Sequence, residues 1–145
     1  PEIDLNLEKR VHLFFRKIIN NKIINSAHDI GDGGLAIAIT ECCISSKLGA
    51  NIKLPDSESR LDRILFAEGG PRILISCSKK EVSNLKNYYN QFIIDDLKSF
   101  SLTHLGNVEN DQKLKLYQNE NLIINLHISE LKNVYKNAIS NIISK

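Results

Sequence analysis

Tryptophan and methionine are absent from this chain, and cysteine occurs only three times. The missing Trp and Met, set beside heavy use of Ile, Asn and Lys, read as the codon bias of an AT-rich genome and carry no functional signal. The cysteines are odd in number and lack a C-x-x-C spacing, since Cys42 and Cys43 are adjacent and Cys77 stands far off. That argues against a disulfide framework and against a zinc site, and leaves reduced, buried thiols of a cytoplasmic protein as the expectation. Charge of one sign is lacking too: 19 Lys and Arg face 17 Asp and Glu, for a net +2. No basic stripe interleaves with aromatic residues, so nucleic acid is not an expected partner. Long hydrophobic runs are missing, and the longest fall far short of the roughly 20 residues that span a bilayer. No charged start leads into an apolar signal core, so no membrane partner is expected either. The chain opens on Pro1, as a fragment of a longer multidomain protein would.

What is present is ordinary globular composition: 145 residues, 42% hydrophobic and 25% charged. That length suits one domain, residues 1–145, with a real core. Helical spacing is clear in four places. Leu7, Val11, Phe14 and Ile18 open the chain; Leu35, Ile39 and Cys42 follow the first glycines; Val82, Leu85, Tyr89 and Phe92 mark a third helix. Ser78 and Glu81 form a capping-box pattern before it. Leu131, Tyr135, Ala138 and Ile142 mark the last helix, with Ser129 as its N-cap. Strand-like runs are Asn25–Ile30, Ala50–Leu54, Arg72–Cys77 and a looser Leu102–Val108. Lys113–Tyr117 and Leu122–Leu126 read as a hairpin around a four-residue loop, Gln118–Asn121. Asp56–Asp62 is the most loop-like stretch. The order predicts an α/β (α+β) fold, a two-layer sandwich of a mixed sheet with helices mainly on one face.

Five of the seven glycines fall in two clusters, Gly31, Gly33 and Gly34, then Gly69 and Gly70. Glycine permits left-handed backbone and the close approach of a ligand. In "AHDIGDGGLA" a strand runs into a helix, whose first amides and positive dipole end favour an anion. Asp29, at the strand end, could give a divalent metal a hard oxygen. The plainer reading has Asp32 capping the helix, His28 packed or at an edge, and the glycines serving the turn alone. Neither the P-loop pattern nor G-x-G-x-x-G is present. In "LFAEGGPRIL", Glu68 and Arg72 either pair with each other or leave Glu68 facing a ligand beside the first loop. No nucleophile stands next to a base, and His12, His104 and His127 are scattered.

The segments "SAHDIGDGGLAIAITECCISSKLGANIKL", "LFAEGGPRILIS" and "LTHLGNVE" resemble the phosphoribosylformylglycinamidine synthase family, specifically its second C-terminal domain, which is AIR-synthase-like. The opening "PEIDLNLEKRVHLFFRKII" is similar to the lead-in to that domain, so the likeness covers all but the last helix. The resemblance implies an ATP- and Mg²⁺-dependent C–N ligase of de novo purine biosynthesis. It joins glutamine-derived ammonia to formylglycinamide ribonucleotide, through an iminophosphate. It implies partners in the other domains of the same synthase, a glutaminase and small accessory subunits, with self-association open to the fragment. In that family the catalytic histidines lie in other domains, so none is expected here. Asp29 matches a magnesium ligand at an auxiliary nucleotide site. Gly31, Asp32, Gly33, Gly34 and Glu68 are the corresponding nucleotide or phosphate residues. The family usually has serine where Gly31 stands, and glycine brings no hydroxyl. The alternatives are a structural domain with a vestigial site, or a domain of another superfamily member such as thiamine monophosphate kinase.

Overall fold

The structure is a computed structural model that describes residues 3–57, 59–93 and 100–143. It divides into two compact units, Pro1–Ala38 with Phe66–Leu102 and Ile39–Leu65 with Thr103–Lys145. In the first unit, helix α1 (Leu5–Asn20) begins where the Asp4 carboxylate accepts the amides of Asn6 and Leu7 at 3.0 and 3.1 Å. Such a cap satisfies N–H groups that have no partner inside the helix. Its apolar stripe buries Val11, Phe14 and Ile18. Phe14 is 1% exposed and lies among Tyr89, Phe92 and Phe100, with ring centroids 5.2–6.3 Å away. Leu85, on a later helix numbered α4 here (Val82–Ile93), is buried with them, as the helical spacing predicts.

The capping box before α4 does not form. Lys79–Glu81 make a 3₁₀ turn, and the Ser78 hydroxyl is buried without a hydrogen bond. Glu81 instead accepts from the Asn84 side chain at 2.9 Å. The 3₁₀ bond from the Glu81 amide to the Ser78 carbonyl takes up the donor that the serine side chain would have capped. Strands β1 (Ser26–Asp29) and β3 (Ile73–Ser76) pair antiparallel, Asp29 opposite Ile73 and Ser26 opposite Ser76. They form a two-stranded sheet of their own.

The second unit holds the expected mixed sheet, β4 (Gly106–Glu109), β2 (Gly49–Lys53), β5 (Lys113–Gln118) and β6 (Asn121–His127), in that order. β2 and β5 are parallel and the other neighbours antiparallel. Ala50 lies opposite Leu114 and Ile52 opposite Leu116, and all four are buried. Alternation puts these four on one face of the sheet. At Gly106 a side chain would come 1.9 Å from the Asn51 carbonyl oxygen, so only glycine lets β4 approach β2. β4 begins later than the sequence run suggests, at Gly106 rather than Leu102. The hairpin loop is also shorter. Asn119 and Glu120, at φ 47° and 64°, make a two-residue turn of the kind whose twist matches the flanking strands.

Helix α2 (Gly34–Ser46) buries Leu35, Ala38, Ile39 and Cys43, while Cys42 is half-buried. The stripe therefore passes through the second cysteine. The adjacent thiols both suit a three- or four-residue step, but Cys43 lies four residues beyond Ile39, on its face. Part of the expected loop is helical. Arg60 and Asp62 pair at the start of a short helix α3 (Leu61–Phe66), which buries Leu65; Glu58 lies outside the described residues. Helix α5 (Ile128–Ile143) starts one residue before the expected cap, and the Ser129 amide donates to His127 Nδ1 at 3.2 Å. Of its predicted stripe Leu131 is half-buried and Tyr135, Ala138 and Ile142 are exposed, while Ile128, ahead of the stripe, is buried.

Candidate functional site

The two glycine clusters meet within the first unit. β1 delivers Asp29 to the loop, and the Ile30 amide donates to the Arg72 carbonyl at 3.0 Å. A turn then closes with the Gly34 amide on the Gly31 carbonyl at 3.0 Å. Gly33 and Gly34 have φ of 76° and 68°, and a Cβ at Gly33 would lie 2.3 Å from Ile37 Cγ1. Both conformation and space therefore demand glycine at 33. Gly31 differs: a Cβ there would meet only Asp29 Oδ2, at an ordinary 3.5 Å.

The second cluster folds back onto the first. Glu68 Oε1 accepts the Gly33 amide at 2.8 Å. Gly69 and Gly70 turn with φ of 109° and 72°, and the Arg72 guanidinium donates to the Ala67 carbonyl. The expected pairing of Glu68 with Arg72 is replaced by two separate contacts. Arg72 grips the backbone before Glu68, while Glu68 stands beside the first loop with its carboxylate on that loop's own amide. Sequence reasoning missed the Arg72 grip. Its only signal was a cation four residues after an acid, with two glycines between to let the chain double back.

Asp32 lies in the turn, one residue outside the cap position, because α2 begins at Gly34. Asp29 projects into solvent, its side chain 92% exposed. His28 Nδ1 lies 2.6 Å from the Asp29 carbonyl oxygen and 3.9 Å from Oδ1; since a carbonyl only accepts, Nδ1 carries the proton. No cluster of three or more His, Cys, Asp or Glu suited to a metal occurs among the described residues. An exposed carboxylate nevertheless fits Mg²⁺, which commonly takes one or two protein carboxylates and completes its shell with waters and phosphate oxygens. The cysteines are free, and burial pushes the Cys43 thiol up to about 11, with Cys42 adding to the shift. Cys42 and Cys77 are also raised, by burial first and then by Glu41 and Glu81 respectively. None carries the lowered pKa of a reactive thiol.

The strand–glycine-turn–helix unit, its folded-back Glu68 loop and the mixed sheet define the class. Residues 1–118 match the family model described as AIR synthase related protein, C-terminal domain, and the chain belongs to that family. Within it the likeness is specific. The phosphoribosylformylglycinamidine synthase subunit PurL of Prochlorococcus marinus strain NATL1A is 58% identical over 145 residues, all of this chain and 18% of that protein. The PurL of strain NATL2A is 57% identical over the same length, again 18% of the relative. The chain thus spans about a fifth of the curated relatives it matches. Thermotoga maritima PurL complexed with FGAR superposes with a TM-score of 0.76 at 18% identity, over 89% of this chain and 21% of that one. The same protein complexed with ATP gives 0.72 at 17%, over 85% and 21%. A third, from the PurLQS structure of that organism, gives 0.73 at 18%, over 86% and 21%. At such identity the structures show a shared fold. No helix among the described residues is long and apolar enough to cross a membrane.

Proposed function

We propose that residues 1–145 form one C-terminal domain of a phosphoribosylformylglycinamidine synthase. That enzyme is the cytoplasmic, ATP-dependent ligase that turns formylglycinamide ribonucleotide and glutamine-derived ammonia into the amidine in purine biosynthesis. The observation that carries the reading is 58% identity to a PurL subunit over the whole chain. The domain itself supplies no catalytic residue. Asp29 would offer one oxygen to Mg²⁺, and the turn of Gly31, Asp32, Gly33 and Gly34 with Glu68 would border the nucleotide phosphates. ATP with Mg²⁺ supplies the phosphoryl chemistry when bound; this chain's part is to hold and orient. The exposed Val134, Ile142 and Ile143 of α5 suit contact with other domains of the synthase, or between copies of an isolated fragment. A glutaminase and small accessory subunits complete the assembly.

A second reading, a structural domain with a vestigial nucleotide site, draws on Gly31, which has no hydroxyl, and on the Gly33 amide already bound to Glu68. The test is nucleotide bound per chain in the intact synthase, with ligand-dependent thermal stabilisation. Asp29→Ala should remove the Mg-nucleotide part of that stabilisation, about 2.7 kcal/mol at a hundredfold excess over Kd. An unchanged count and an unchanged shift would leave the structural reading standing. Gly31→Ser should strengthen binding, because the space at 31 admits a side chain beside Asp29.

A further inference from the structure

A histidine caps helix α5, where serine, threonine, aspartate or asparagine is usual. His127 ends β6 and stands immediately before Ile128, the first residue of the helix. Its Nδ1 accepts the Ser129 amide at 3.2 Å and lies 2.8 Å from the Ser129 hydroxyl. An amide can only donate, so Nδ1 is bare, the hydroxyl donates to it as well, and the ring proton sits on Nε2. His28 holds the opposite tautomer, because its Nδ1 faces a carbonyl. The oxygen of a serine or asparagine cap goes on accepting throughout the neutral range, whereas an imidazole nitrogen accepts only while it is bare. We propose that His127 is an acid-sensitive anchor for α5, uncapping the helix and unseating its first turn when Nδ1 takes a proton from solvent. The inference rests on this geometry and on neither the nucleotide site nor the synthase assignment.

Protonation reverses the chemistry at one atom. Nδ1 gains an N–H and stops accepting, so the Ser129 amide and hydroxyl both lose their partner. A positive charge also appears at the positive end of the helix dipole, where a cation is unfavourable. Lys113 lies directly opposite His127 in the β5–β6 pair and adds to that repulsion. Asp111 is engaged by the Lys115 ammonium and the Lys113 amide. On the helix side, Glu130 in the first turn favours the charged ring and Lys132 opposes it. The capped state is the neutral one, so its contribution is present at neutral pH and is lost as pH falls through the imidazole titration. What depends on it is the seat of the helix. Ile128 is buried and its amide donates to the Gln112 carbonyl at 3.0 Å, and Leu131 is half-buried. Beyond them Val134, Tyr135, Ile142 and Ile143 are exposed, and the Tyr135 hydroxyl reaches Glu41 on α2. Among the described side chains, α5 is therefore seated chiefly by the turn that His127 caps.

The test is NMR of the 145-residue chain at about pH 7.5 and about pH 5.5, either side of the range in which imidazoles ordinarily titrate. At the higher pH, imidazole nitrogen shifts should show the proton of His127 on Nε2 and that of His28 on Nδ1. At the lower pH, protection of the Ser129 amide, taken relative to the unstructured exchange rate at each pH, should fall about fivefold, the worth of a typical N-cap. The amides of α1, capped by Asp4, should keep theirs. His127→Asn retains a capping oxygen without an imidazole, so its Ser129 protection should stay level between the two pH values. His127→Ala should be as poorly protected at the higher pH as the wild type is at the lower. An Nδ1–H tautomer for His127 at the higher pH, or Ser129 protection that does not fall in acid, would overturn the anchor, and both are read on the wild type. An equal acid loss in His127→Asn would overturn it too, by placing the sensitive group elsewhere.

Discussion

Gly31 and Gly33 stand two positions apart and obey different physics. Gly33→Ala places a methyl 2.3 Å from Ile37 Cγ1 at a φ of 76°. Strain of that kind costs of order 1–3 kcal/mol before the clash is counted, so the denaturant midpoint should fall clearly. Gly31→Ala meets only an ordinary contact and should leave the midpoint nearly where it was; a matching fall in both variants would show that the turn is not as described. The thiols offer a second measurement. Burial holds Cys43 up at about 11, so it should alkylate more slowly than Cys42 or Cys77 at pH 8. A folded pKa above the unfolded one means that the native state binds the proton more tightly. This contribution is present below the unfolded pKa and fades as pH rises towards 11. A chain that grows more stable from pH 9 to 11 in the wild type, relative to Cys43→Ala, would contradict it. At this scale the glycine positions were legible in sequence. Which cysteine is buried, and what binds Gly33, were not, because each depends on a neighbour distant in the chain.

Helices α1, α2 and α4 were visible from their three- and four-residue spacing, since burial of one stripe is what fixes such helices. Ile39 is 2% exposed and lies in the α2 stripe. Ile39→Ala should cost about 2–5 kcal/mol in a denaturant titration, and Cys42→Ala much less. A cost at Cys42 equal to that at Ile39 would mean the stripe runs through the other cysteine. The element ends were harder to read. Ser78 and Glu81 have the residues of a capping box, yet a 3₁₀ turn intervenes. Asp4 does cap α1. The two sites differ in backbone path, which side-chain identity alone does not set. The hairpin turn was shortened in the same way. Asn119 and Glu120 adopt positive φ, which Asn tolerates and Glu rarely does, so residue identity hardly marked a two-residue turn.

As a molecule, the chain carries one strand–glycine-turn–helix loop, between β1 and α2. We expect the isolated 145 residues to fold and to catalyse nothing; ATP-dependent amidine formation by the purified chain would refute that. The sequence by itself determined the class of protein: the spacing of HDIGDGGL and FAEGG and the order of helices and strands carried the family likeness, and 58% identity to a PurL subunit bears it out. It also determined most of the strands that build the mixed sheet, because alternation and turn residues act locally. Only the tertiary structure decided that β1 and β3 pair apart from that sheet, and that Glu68 takes the Gly33 amide. Strand partnership and a hydrogen bond across 35 residues follow from how the chain closes on itself. Loop closure depends on the packing of everything between, and no short window of sequence contains it.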